Sequence, residues 1–87
     1  MYQVKFTKLA NKQFQKLPKQ LQTLCQKSID KLAQYPQAGE PLRGQLKGFY
    51  KLRFSKYRVV YQLLHQRITI VIFEIRHRKE IYKKFRF

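Results

Sequence analysis

Tyr2 to Phe6 alternates, with Tyr2, Val4 and Phe6 on one side and Gln3 and Lys5 on the other, the mark of a half-buried strand. At Thr7 the period changes. Thr7 offers an N-cap, and Leu9, Ala10, Phe14 and Leu17 recur at helical spacing with Lys8, Lys12 and Lys16 turned outward. Pro18 interrupts the pattern at a place where the first turn of a second helix tolerates it. From there Leu21, Leu24, Cys25, Ser28, Leu32 and Tyr35 form an inward stripe, with Ile29 on its flank, and the helix ends before Pro36. Two antiparallel helices follow from this, an αα-hairpin.

Pro36 to Gly48 contains every glycine of the chain and reads as a loop, with Leu42 and Leu46 pinning it to the core while Arg43 and Lys47 point outward. Connections of this length tend to be functional or mobile. In Phe49 to Phe54, period two puts Tyr50, Leu52 and Phe54 on one side and Lys51 and Arg53 on the other. A turn at Ser55-Lys56 then sets Phe54 opposite Tyr57 and Arg53 opposite Arg58. Val59 to Leu64 continues the second strand of this hairpin as a nearly unbroken apolar run, and a further turn falls at His65 to Arg67. Ile68 to Ile75 is apolar on both faces and rich in β-branched residues, as expected of a central strand with helices over at least one side. Arg76-His77-Arg78 should leave the sheet, and Lys79 to Phe87 can add a short terminal helix with Ile81, Tyr82 and Phe85 as its apolar points. The predicted order is β-α-α-β-β-β-α, an α+β layer fold in which a mostly antiparallel sheet packs one face on an N-terminal helical hairpin.

Composition narrows what such a fold can do. Eighty-seven residues make one domain, spanning 1–87, with 44% hydrophobic residues, 7 Phe and 6 Tyr, enough to build a core and to set aside a disordered tail. Against 20 Lys plus Arg stand only 4 Asp plus Glu, a formal charge of +16. Self-repulsion on that scale costs stability and calls for an acidic partner: nucleic acid, an anionic membrane surface or an acidic protein. The longest apolar run, Ile70 to Phe73, falls far short of the roughly 20 residues that span a bilayer. No signal-peptide h-region follows Met1, and Cys25 is the only cysteine, so no intrachain disulfide forms and a cytoplasmic location is expected. Cys25 itself reads as a small buried apolar residue rather than a nucleophile.

Several chemistries drop out on residue types and spacing. Glu74, His77 and Glu80 lie three apart, but one imidazole amid so much positive charge is a poor metal-ligand set, and no metal or other cofactor is expected. The glycines are too far apart for a phosphate loop, Ser28 and Ser55 have no neighbouring base, and the four carboxylates are too scattered for paired hydrolysis. What remains is a set of cations with a tyrosine. Lys51, Arg53 and Arg58 share one face of the hairpin, and a strand ending at Ile75 beside it would bring Arg78 and Tyr82 over the same patch. Like charges directly opposite one another destabilise a sheet, and an anion above them relieves the repulsion; guanidinium forks match phosphate. A solvated basic face is the simpler reading of the same residues, as a core or rim aromatic is of Tyr82. As chemistry, the set suits metal-free RNA cleavage, in which a 2′-hydroxyl attacks its own adjacent phosphate and arginines stabilise the extra negative charge of the transition state. A lysine or tyrosine crowded by guanidiniums is pushed toward its deprotonated form and can take the proton, whereas arginine can hardly serve as the base.

The order of elements, the LRGQLKG loop, YKLRFSKYRVVYQL in the hairpin and EIRHRKEIY near the end resemble the RelE/ParE superfamily of bacterial toxins from toxin-antitoxin pairs, and more closely its RelE branch. The resemblance covers nearly the whole chain and implies a microbial-ribonuclease-like layer fold. It also implies a ribosome-dependent endoribonuclease, an mRNA interferase that cuts messenger RNA in the decoding site and leaves a 2′,3′-cyclic or 3′-phosphate and a 5′-hydroxyl. By position, Lys51 and Arg53 match a basic pair credited with proton acceptance and charge stabilisation, and Arg58 matches the arginine that holds the scissile phosphate. Arg78 matches one that protonates or stabilises the leaving oxygen, and Tyr82 matches a tyrosine that stacks on the base. The familiar pattern has a second lysine where this chain has Arg53, which leaves Lys51 and Tyr82 as base candidates; the segment from Arg78 to Tyr82 is two residues shorter. His77 is an additional imidazole in the same neighbourhood. Arg43, Lys47, Lys56, Arg76, His77, Lys83 and Lys84 complete the expected RNA-binding surface. The family further implies a cognate acidic antitoxin that wraps the basic surface and carries the pair to its operator DNA. Two rivals belong to other classes: a ParE-like inhibitor of DNA gyrase without catalysis, and a basic structural protein of the ribosome or nucleoid.

Overall fold

Thr7 is where strand gives way to helix. Its extended backbone (φ −68°, ψ 164°) lets the side-chain oxygen accept from the Ala10 amide at 3.1 Å, and the same hydroxyl donates to the Phe73 carbonyl at 3.0 Å, tying the start of the helix to the sheet. The computed structural model describes residues 1–44 and 47–77. Within them the order is β1 (Gln3–Phe6), α1 (Lys8–Lys16), α2 (Lys19–Gln34), β2 (Glu40–Pro41), β3 (Phe49–Phe54), β4 (Tyr57–Leu64) and β5 (Thr69–His77), with a single 3₁₀ turn at His65–Arg67 between the last two strands. The strands form one sheet in the order β1-β5-β4-β3-β2, in which only the β1–β5 pair is parallel. The α+β layer architecture expected from the pattern is the one observed. Among the described residues no helix is long and apolar enough to cross a membrane. The anticipated terminal helix over 79–87, with Glu80, Tyr82, Lys83 and Lys84, lies outside the described residues, as do Arg78 and Leu46.

Both helices pack on one face of the sheet. Ala10, Leu17, Cys25, Ile29 and Leu32 meet Phe54, Val59, Tyr61, Leu63, Ile70, Ile72 and Ile75 in a single buried cluster. Fully burying a side chain of this kind is worth about 1.5–3 kcal/mol. Gln22 closes the Leu17-Pro18 link between the helices by donating to the Phe14 and Gln15 carbonyls at 3.1 and 3.3 Å, satisfying groups that the end of α1 would leave open. Burial pushes the Cys25 thiol up to about 12, so it packs as an apolar residue, as expected.

Several expectations need correction. On α2 the buried stripe is Cys25, Ile29, Leu32 and Ala33, so Ile29 is central rather than flanking, while Leu24 (45% exposed) and Tyr35 (63%) face outward. Leu9 on α1 also faces outward, while Ala10 beside it is buried in the core and Phe14 packs against Phe6. The long connection is not structureless: Glu40 and Pro41 pair with Lys51 and Tyr50 as a two-residue edge strand. Leu42 is buried as expected, but against Val60 and Phe49 on the face of the sheet away from the helices. Ile68 is not the start of β5; it closes the 3₁₀ turn in the left-handed region (φ 49°) and is exposed. Arg76 and His77 do not leave the sheet, since β5 runs through both.

Candidate functional site

The hairpin forms in the register that its pattern predicts. Arg53 lies opposite Arg58 and Phe54 opposite Tyr57, with Ser55 at φ 53° taking the turn position that needs a positive angle. On the helix side the rings of Phe54 and Tyr57 stack with centroids 5.6 Å apart, so the tip is held by aromatic contact where the turn dipeptide is weak. Lys51, Arg53 and Arg58 emerge on the face away from the helices.

The next strand supplies what the pattern could not show. Ile70 and Ile72 point to the helices, and two-residue alternation would send Glu74 and Arg76 the same way. A β-bulge intervenes: Val60 pairs with Glu74 but Tyr61 pairs with Ile72, so Phe73 is an extra residue and the parity of β5 reverses. From there on Ile75 faces the core, while Glu74 and Arg76 turn to the opposite face. Helix α1 supports the irregularity. Besides the Thr7 contact to Phe73, the Gln13 side-chain oxygen accepts from the Ile75 amide at 2.7 Å, beyond the point where β1 ends.

Two rows of side chains result, each crossing the sheet at right angles to the strands. One is Arg53, Arg58 and Arg76 on β3, β4 and β5; the next is Glu40, Lys51, Val60 and Glu74 on β2 to β5. Glu40, Lys51, Arg53 and Arg58 line a cavity of about 200 Å³. Arg58 is only 5% exposed, which for a guanidinium demands partners; one is the Tyr57 carbonyl, to which it donates at 3.3 Å. Glu74, 7% exposed, meets the Arg76 Nε at 3.5 Å. An apolar patch of Phe49, Leu42, Val60 and Phe73 borders the rows, the two phenyl rings in edge contact at 4.9 Å.

Glu40 is not among the site residues that the sequence points to, because between Gly39 and Pro41 it reads as loop. Its place depends on Tyr61, a core residue from the other side of the sheet, whose hydroxyl donates to the Pro36 carbonyl at 3.0 Å and accepts from the Gly39 amide at 3.1 Å. Burial raises that phenol to about 12. Gly39 fits because it lacks a side chain: a Cβ there would lie 2.6 Å from the Lys51 carbonyl and closer still to the Tyr61 hydroxyl. A two-residue strand has no period to detect, so a Gly before an acidic residue was the only available signal.

Of the remaining expected positions, Arg43, Lys47 and Lys56 are exposed in the loop and at the hairpin tip. His77 is opposite Tyr57 and in edge contact with its ring at 5.4 Å, which places it on the helix side and away from the arginine row. The bulge that turned Arg76 one way turned His77 the other. Arg78, Tyr82, Lys83 and Lys84 lie outside the described residues.

A helical hairpin over one face of a five-stranded sheet, with ordered cations on the other, defines a class of small toxin structures. The isolated Escherichia coli RelE toxin matches with a TM-score of 0.79 at 25% identity, covering 98% of this chain and 95% of that one. A chain of the RelBE2 toxin-antitoxin complex of Mycobacterium tuberculosis matches with a TM-score of 0.80 at 32% identity, covering 88% of this chain and 98% of that one. The toxin RelG of Mycobacterium tuberculosis is 33% identical over 85 residues, 95% of this chain and 98% of RelG. A putative RelE-like toxin protein of Escherichia coli is 37% identical over 86 residues, 93% of this chain and 90% of its own length. The family model described as the ParE toxin of the type II toxin-antitoxin system matches residues 4–82. The chain belongs to this family, and it is a toxin of the RelE/ParE superfamily of type II toxin-antitoxin systems.

Proposed function

We propose that the chain is an mRNA interferase of the RelE kind, cutting messenger RNA on the ribosome without a metal and arresting translation. The single observation that carries this reading is the cavity in which Lys51, Arg53 and Arg58 converge with a carboxylate, Glu40. A non-catalytic binder needs cations but has no use for a proton acceptor among them. In the reaction, the 2′-hydroxyl loses its proton, its oxygen bonds to the adjacent phosphorus, and the 5′-oxygen of the next nucleotide departs with a proton. Arg58, buried and fixed by its partners, holds the non-bridging oxygens; Arg53 stabilises the charge that grows as phosphorus becomes five-coordinate. Glu40 or Lys51 takes the 2′-hydroxyl proton, both lining the cavity beside the two arginines. Arg78 and Tyr82 keep the roles the resemblance implies, protonation of the leaving oxygen and stacking on the base.

A charge of +16 also asks for neutralisation when the toxin is idle. A cognate acidic antitoxin meets that need, and the matching RelBE2 chain comes from a toxin-antitoxin complex. Brief expression of the chain without its antitoxin, followed by mapping of 5′-hydroxyl ends on cellular messages, tests the reading. Cuts in phase with codons are expected. Intact messages during growth arrest, with stalled DNA replication, would instead identify a gyrase inhibitor.

A further inference from the structure

Cleavage at one phosphate occupies Arg53 and Arg58 and leaves unexplained why a third arginine stands in the same row. Arg76 is the direct partner of Arg58 across β4 and β5, yet it does not line the cavity that Arg53 and Arg58 share. Its presence there is not an accident of alternation, because the bulge at Phe73 reverses β5 and turns Arg76 away from the helices. Three like charges in register cost stability. The cost is offset by Glu74, one of only four acids in the chain, which is 7% exposed and meets the Arg76 Nε at 3.5 Å. A carboxylate buried to that degree is itself expensive unless paired. The Glu74–Arg76 pair is thus built for more than solubility: the ion pair holds the Arg76 charge on this face of the sheet, and a planar guanidinium is the group that matches phosphate.

We propose that Arg76, held in the row by its ion pair with Glu74, is a subsite for the phosphodiester next to the scissile one. The row runs across the strands at roughly 4.8 Å per step, so an RNA strand whose scissile phosphate lies at Arg53 and Arg58 and which continues along the row brings its next phosphate toward Arg76. Glu74 is a positioning residue acting through Arg76. This subsite rests on the ribonuclease reading, and it makes the register of two consecutive phosphates, rather than one, the feature the toxin measures.

The test uses messages programmed on ribosomes in which one phosphate flanking the cut is replaced by a neutral methylphosphonate, first on the 5′ side and then on the 3′ side. One of the two replacements should slow cleavage by the unaltered toxin roughly tenfold, the worth of one charge-assisted contact. Arg76→Gln should slow cleavage of the unmodified message by a similar factor and be indifferent to that replacement, with Arg76→Lys intermediate because it keeps charge without the planar fork. Glu74→Gln should lower kcat, lose part of the sensitivity to the replacement, and bind RNA no more weakly, since it removes a negative charge; thermal melting of each variant separates these effects from loss of fold. The proposal is overturned if neither replacement slows the unaltered toxin, or if the replacement and Arg76→Gln simply multiply. Should the unaltered toxin leave the unmodified message whole, the ribonuclease reading fails by itself. The affinity of free toxin for the same oligonucleotides then decides whether Arg76 takes a phosphate at all: it does if the methylphosphonate weakens the unaltered toxin but not Arg76→Gln, and the proposal falls if it weakens both alike.

Discussion

On the helix side of the sheet, Val59, Leu63, Ile70 and Ile72 need only be apolar and together fill the right volume. On the other side, Arg53, Arg58 and Arg76 must stand in one row, with Glu40 and Glu74 in the next, and none of them can be moved by one residue without changing face. The same strands therefore carry two kinds of specification. Packing is tolerant because burial is non-directional. A charged row is intolerant because each of its members must emerge on one face, and a shift of one residue sends a side chain to the other.

Alterations on the two sides should fail in different ways. Arg58→Ala should reduce cleavage by about 10²–10³-fold, the range seen when one transition-state donor is removed, measured as the rate of appearance of 5′-hydroxyl ends; Arg58→Lys should recover only part, showing that the planar fork matters and not charge alone. Ile72→Ala, beneath the opposite face, should lower the unfolding free energy by about 2–5 kcal/mol in urea titrations, with the activity per folded molecule kept. If Ile72→Ala abolished cleavage while leaving stability intact, the division between the faces would be wrong. Gly39→Ala sharpens the comparison, because Gly39 sits where both sides meet: a Cβ against the Lys51 carbonyl and the Tyr61 hydroxyl should cost about 1–3 kcal/mol and also displace Glu40, so that stability and rate fall together. The smallest effect is expected in alkali. Cys25 and Tyr61 both have folded-state pKa values raised to about 12, above their ordinary 9.0 and 10.0. Protons are then lost first from the unfolded chain, so the stability these groups supply is complete below about pH 9 and declines as the pH rises toward 12. Cys25→Ala should flatten the lower part of that decline in melting curves recorded from pH 8 to 11.

How much of this was legible in the chain depends on the distance over which each feature is decided. The first strand, the Thr7 cap, the start of the second helix at Pro18 and the Arg53–Arg58 register follow from local rules of period and turn length, and the structure agrees with them. The missed assignments share a cause. Leu9, Leu24 and Tyr35 are apolar at acceptable helical positions, and only the docking angle against the sheet decides that Ala33 and Ile29 go in while they stay out. Pattern also described Ile68 to Ile75 as apolar on both faces without revealing that parity switches within it.

Composition and short-range pattern by themselves determined that this chain folds as helices over a sheet, that it is strongly basic, and that its hairpin sets two arginines face to face. Tertiary structure alone decided that Glu40 joins Lys51, that Arg76 completes a row of three while His77 is turned away, and that Glu74 is buried beside it. The reason is physical. A bulge and a two-residue edge strand have no period of their own; each exists because a partner strand, a helix end or the Tyr61 hydroxyl holds it, and those partners come from residues distant in sequence.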